Sequence, residues 1–141
     1  MRPFDTLIEL SENRLDEKRK RLATLEDRLT AAQAQRAALD EEQAQEQQVA
    51  AQETGIVGFA YGAYAERLIQ RREEADRAIA KAEKAVEEQR EIVREAFAEL
   101  KRYEMAHEAR LAKARREQEA KDQIEQDEIA GNMLRRRDER L

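Results

Sequence analysis

The single histidine and the single serine are the side chains in this sequence best suited to nucleophilic or acid–base chemistry. Ser11 and His107 could form a nucleophile–base pair only if a third group oriented the imidazole, and the sequence suggests no such group. The seven-residue spacing from Leu100 to His107 instead predicts a polar residue in the contact surface between two helices. We therefore expect no catalytic residue and no enzymatic activity.

Carboxylates are abundant, but their spacing does not suit a metal ion. The side chains of adjacent pairs such as Glu73-Glu74 and Glu87-Glu88 diverge by about 100° on a helix, so they do not converge on one ligand. The chain has no cysteine, and its three clustered glycines (Gly55, Gly58 and Gly62) lack the Gly-Lys-Ser/Thr ending of a phosphate loop. We expect no metal and no cofactor.

Composition indicates which elements carry these residues. Of 141 residues, 27 are basic and 32 acidic, which gives a net charge of −5, and only 4% are aromatic. The dominant residues (Ala, Glu, Gln, Arg, Lys and Leu) favour long helices over β or α/β folds. No signal peptide and no apolar stretch of ~20 residues is evident. Net acidity also disfavours nucleic acid as the main partner. These features predict a cytoplasmic helical protein.

Apolar residues recur at heptad spacing on both sides of the glycine cluster, which is the strongest turn signal in the chain. This pattern predicts an all-α fold: a long two-helix antiparallel coiled-coil hairpin with a protruding C-terminal helix end. The predicted seam of the first helix comprises Ile8, Leu15, Leu22, Leu25, Leu29 and Leu39. The predicted seam of the second helix comprises Ile79, Val86, Val93 and Leu100.

The predicted boundaries treat residues 1–141 as a single hairpin domain. Helix one covers about 4–54, the turn about 55–62, helix two about 63–130 and a basic tail 131–141. Gly131-Asn132 suits a helix C-terminus. Folding near Phe59 would pair Leu39 with Ile79 and would leave the last part of helix two without a neighbour.

Both ends of this hairpin are candidate contact surfaces. Near the turn, the apolar side chains could either close a small cap or form an exposed docking surface; the candidates are Phe59, Tyr61, Tyr64 and Leu68. At the opposite end, the protruding part of helix two is either a frayed tail or a segment that makes polar contacts.

Several short motifs in order along the chain carry a family resemblance. They are Phe4-x-x-Leu7-Ile8, Tyr61-Gly62-Ala63-Tyr64-x-x-x-Leu68, Phe97-x-x-Leu100-Lys101-x-x-Glu104 and Asp127-Glu128-Ile129-Ala130. Over essentially its whole length the sequence resembles the flagellar export protein FliJ and, more distantly, its counterparts in virulence type III secretion. It departs from the family at Gln126, where an apolar residue is expected.

The resemblance implies a monomeric, non-catalytic stalk that enters the hexameric export ATPase, promotes its assembly and activity, and links it to a membrane export-gate protein. It also implies an escort role for export chaperones, in flagellar motility, at the cytoplasmic face of the inner membrane. By the same analogy the residues near the turn would contact the gate, and the candidate ring contacts are Arg115, Arg116, Lys121 and Glu125.

Three alternatives remain at this point. The main one is a coiled-coil scaffold or tether that self-associates through the same seam. The others are an amphipathic rod lying on membranes and a nucleic-acid arm that binds through Arg135, Arg136 and Arg137.

Overall fold

The chain folds into two helices. The computed structural model describes residues 3–52 and 56–140, with side chains for 3–51 and 62–140. Helix α1 spans Pro3–Gln52 and helix α2 spans Ile56–Glu139. Pro3 suits the first turn of α1, where its missing N–H costs nothing, and Asp5 favours the positive end of the helix dipole. No strand occurs in the described ranges, and no helix there is long and apolar enough to cross a bilayer.

Contacts divide the chain into two units. In the main unit, Glu12–Phe97, α1 and α2 pack antiparallel. The buried apolar side chains of this unit are Leu15, Leu25, Leu39, Leu68, Val86 and Ala96. They recur at heptad-like intervals on one face of each helix, which is the packing expected of a two-helix coiled coil.

The open-end unit consists of Met1–Ser11 and Ala98–Leu141. Here the first turns of α1 pack against α2 around the buried Ser11 and Leu100. Beyond Ala112 every described residue of α2 is exposed except Gly131, which is half-buried. The all-α hairpin with an uncovered C-terminal helix end is thus confirmed.

The predicted seam residues all face the packed side of their helices. Besides the buried ones, five are half-buried: Ile8, Leu22, Leu29, Ile79 and Val93. Ser11, which interrupts the heptad pattern, is also only 3% exposed. A small hydroxyl side chain therefore occupies a position that the pattern would give to an apolar one.

The observed helix boundaries differ from the predicted ones. Helix α2 begins at Ile56, within the predicted turn, and it continues through Gly131 and Asn132 to Glu139 instead of ending near residue 130. A glycine costs a helix only ~1 kcal/mol relative to alanine. Met133, Leu134 and three arginines follow and no proline does, so residues 131–139 of the predicted basic tail continue the helix.

The predicted alignment of α1 with α2 is wrong: the residue of α2 that faces a given residue of α1 lies nearly two helical turns earlier than predicted. It would place Asp40 beside Ala78, but Asp40 pairs with Arg72 at 3.3 Å, and Arg36 pairs with Asp76 at 2.7 Å. Because α2 begins earlier than predicted, each residue of α1 meets an earlier residue of α2.

The packed position of Leu68 can be tested against its neighbour. Leu68 is 3% exposed and Ile69 is 51% exposed. We expect Leu68→Ala to lower the free energy of unfolding by about 2 kcal/mol or more, because it empties a buried site, and Ile69→Ala to change it by less than about 1 kcal/mol. Urea unfolding followed by circular dichroism measures both. Equal effects of the two substitutions would contradict the packing described.

Candidate partner-binding site

A set of polar side chains joins the two helices in the part of the main unit nearer the turn. Arg36 Nε donates to Asp76 Oδ1 at 2.7 Å, and Arg36 also bonds Asp40 one turn further along α1. Arg72 Nη1 donates to Gln43 Oε1 at 2.6 Å, and Arg72 Nη2 lies 3.3 Å from Asp40 Oδ1. We call these five residues the polar ladder. Each helix contributes residues spaced three or four apart, which places them on one face.

The two carboxylates beside Arg36 favour the charged state of its guanidinium. Hydrogen bonds to Asp76 and then to Asp40 raise the pKa of Arg36 above its usual value. Arg72 has one donor, Nε, that is buried without a hydrogen-bond partner among the described residues. The ladder therefore links side chains of the two helices to each other.

Tyr64 is tied to α1. Its hydroxyl donates to a carboxylate oxygen of Glu42, and Arg71 Nη1 lies 3.5 Å from the same oxygen. The hydrogen bond to Glu42, followed by partial burial and the charges of Glu42 and Glu46, raises the pKa of Tyr64 to about 12. The hydroxyl is therefore protonated at neutral pH, and the half-buried ring has only part of its surface available to a partner.

The other predicted residues near the turn have different positions. Leu68 is buried between the helices, so its prediction as an exposed contact residue is wrong: it continues the heptad positions of Ala75 and Ala82 and faces α1. The side chains of Phe59 and Tyr61 lie outside the described ones. Val49 and Ile69, each about half exposed, are apolar surface residues that the sequence reasoning missed because they fall outside the heptad series.

In the open-end unit an aromatic and charged cluster holds the first turns of α1 on α2. The Phe4 ring centroid lies 5.7 Å from that of His107 and 5.5 Å from the Arg110 guanidinium carbon. His107 Nε2 lies 3.5 Å from Asp5 Oδ1. His107 therefore packs between the helices, as its heptad position predicts, whereas Asp5 and Arg110 could not be singled out without the register.

Beyond this cluster lies the exposed arm, residues 113–139 of α2. The four predicted ring-contact residues lie in it, and all are exposed. Among the described residues none of these four forms an ion pair: Arg115, Arg116, Lys121 and Glu125. Four apolar side chains in the arm, each more than half exposed, are Ile124, Ile129, Met133 and Leu134.

The arm exposes charges of both signs, but its described residues carry no arrangement suited to a metal. The described part of the chain contains no group of three or more His, Asp or Glu side chains that could hold a metal ion. Within the arm, Gln118 bonds Asp122 at 3.0 Å and Gln123 bonds Asp127 at 3.1 Å, both along the same helix. The remaining charges face solvent.

The family model of the flagellar FliJ protein matches residues 1–139. No curated protein and no solved structure matches the chain. The match covers both helices and the exposed arm.

The bond between Tyr64 and Glu42 predicts an unusual titration. In a Tyr61→Phe/Tyr103→Phe background, absorbance at alkaline pH should report a tyrosinate midpoint near the pKa of about 12, well above the ordinary value of 10.0. Since the folded pKa is raised, the stabilisation from this hydroxyl is present below pH 10.0 and is lost as the pH rises towards 12.

Glu42→Gln provides the control. It removes the charged acceptor, so the midpoint should move back towards 10.0. A midpoint near 10.0 with Glu42 intact would show that the hydroxyl does not donate to this carboxylate.

Proposed function

Because the chain belongs to the FliJ family of flagellar proteins, which are components of the flagellar export apparatus, we propose that it is a non-catalytic stalk of that apparatus. It inserts into the hexameric export ATPase, promotes assembly and activity of the ATPase, and links it to the membrane export gate. It works at the cytoplasmic face of the inner membrane and also escorts export chaperones.

The observation that carries this proposal is the exposed arm. Residues 113–139 of α2 are exposed apart from the half-buried Gly131, and their charges of both signs, with few apolar side chains, face solvent. A helix of this kind suits a central channel lined with polar groups, where it makes charge-assisted hydrogen bonds and does not need a dry apolar interface. Arg115, Arg116, Lys121 and Glu125 are the proposed ring contacts.

The proposed mechanism rests on the difference in symmetry between a single stalk helix and a ring of six subunits. One helix inside a ring of six subunits presents a different side chain to each subunit, so it cannot stabilise all six in the same state. It therefore favours some subunit conformations over others at any moment, by the difference in its contacts with each. The chain does this as a single copy, without binding nucleotide.

The residues near the turn are proposed to face the gate. Tyr64 is the described member of this set; Phe59 and Tyr61 complete it as proposals. Leu68 is withdrawn from the set because it is buried. The half-exposed Ile69 and Val49 add apolar surface in the same part of the main unit.

The scaffold alternative would require pairing through the seam. That seam is already filled within one chain: Leu15, Leu39 and Val86 are at most 5% exposed. A seam-mediated dimer would have to open the hairpin first, and this favours the stalk. At the low micromolar concentrations of a ring-assembly assay we expect a mass of 16.4 kDa.

The test is stimulation of the cognate export ATPase. Arg115→Glu/Arg116→Glu should raise the concentration for half-maximal stimulation by ~10-fold, equivalent to ~1.4 kcal/mol, because it reverses two ring-facing charges. The matched control is Arg19→Glu/Arg21→Glu, which makes the same charge change at exposed positions of the main unit. Failure of the unmodified chain to stimulate the ATPase, or equal loss in the control, would refute the proposal.

A further inference from the structure

Gly131 lies within the exposed arm, where nothing in the described fold needs a glycine. The helix continues past it to Glu139, and a Cβ added at Gly131 would meet nothing within 4 Å. Glycine inside a helix costs ~1 kcal/mol relative to alanine. The missing side chain leaves a notch through which a second backbone can approach closely.

Charges are arranged on both sides of this notch. One face of the arm around Gly131 presents Ile124, Asp127, Glu128, Asn132 and Arg135. Its acidic residues lie on the N-terminal side of Gly131, and its Arg lies on the C-terminal side. Glu128 and Arg135 lie seven residues apart, the spacing at which Glu87 and Arg94 pair at 3.3 Å elsewhere on α2, but they form no such pair with each other. Neither forms an ion pair with another described residue.

The arrangement is self-complementary about Gly131. Asp127 and Arg135 lie four residues before and four residues after Gly131. The midpoint between Glu128 and Arg135 falls between Gly131 and Asn132. A second copy of the helix, antiparallel and related by a two-fold axis at this point, would place its Arg135 beside Asp127 and Glu128 of the first copy. The same axis would place Arg135 of the first copy beside Asp127 and Glu128 of the second. We propose that the exposed arm pairs with the arm of a second copy of this chain, crossing at Gly131.

The pairing is weak and depends on charge. A single helix crossing buries less area than the ~1,600 Å² of a standard interface, so free copies associate only at high concentration. Ion pairs at exposed positions are screened by salt, so added salt dissociates the pair. If the proposed function holds, a paired arm cannot occupy the ATPase ring, and pairing covers the arm until a ring is present.

Sedimentation equilibrium of the full chain without ATPase tests the pairing directly. At low salt we expect a reversible dimer. Arg135→Glu, and separately Asp127→Lys/Glu128→Lys, should each weaken it at least ~10-fold, because like charges then face each other across the axis. An equimolar mixture of the two variants should recover wild-type affinity, since every facing pair is again opposite in sign. The control Arg137→Glu changes a residue about 200° further round the helix and should leave the dimer intact.

A variant of the notch separates pairing from folding. Gly131→Leu should abolish the dimer while helicity stays the same or rises, because leucine is the better helix former. The proposal is overturned if the wild-type chain stays monomeric at low salt and high concentration, or if the mixed variants do not pair. It is also overturned if Arg137→Glu weakens pairing as much as Arg135→Glu does, or if Gly131→Leu lowers helicity. The stalk proposal does not depend on any of these results, because they are measured without the ATPase.

Discussion

In the described part of the chain α1 and α2 pack only against each other, and this constraint determines the rest of the structure. A helix packed on one side can bury only a narrow stripe of residues, so the apolar core is thin. Even Val86, among the most buried of the described side chains, retains 2% exposure. The remaining surface of both helices faces solvent, which explains why 42% of the residues are charged and only 4% aromatic. Large aromatic side chains would have no second layer to bury them.

Because the seam is thin, the shapes of its side chains only weakly determine which residue of α1 faces which residue of α2. The middle of α2 presents mostly alanines, and a surface groove remains beside them, lined by Leu25, Arg28, Ala32, Ala78, Lys81, Ala82 and Ala85. Small side chains interlock poorly, because the contact stays favourable when one helix slides past the other. The polar ladder supplies the missing specificity: Arg36 bonds Asp76, and Arg72 bonds Gln43, in one alignment of the two helices. At a distant level of the same unit, Gln89 Nε2 donates to the Lys18 carbonyl at 3.1 Å. Directional polar contacts thus determine the alignment of the two helices, which the alanines alone do not determine.

The sequence predicted the hairpin and its seam because heptad spacing depends on residue type alone. It could not predict the alignment, because alignment depends on where the turn falls. Glycines at 55, 58 and 62 gave several possible turns, and an error of a few residues there displaced every cross-helix pair. The polar ladder, the bond between Tyr64 and Glu42, and the cluster of Phe4 and His107 all depend on that alignment, so none could be derived from spacing. Leu68 was misread for a related reason: its neighbours Tyr61 and Tyr64 suggested a surface cluster, whereas its heptad position already placed it in the seam.

Because α2 is longer than α1, the C-terminal part of α2 is the part of the hairpin most accessible to a partner. Pro3, at the start of α1, lies beside the part of α2 between His107 and Ala114, and the described residues of α2 beyond Ala114 are exposed except the half-buried Gly131. The arm nevertheless remains helical, supported by i,i+4 bonds from Gln118 and Gln123 and by Arg136 and Arg137 at its C-terminal end. Because the arm is already ordered, a partner that binds it need not supply the conformational entropy of folding it. Contacts with such a pre-ordered helix can therefore be weak, polar and reversible and still be specific.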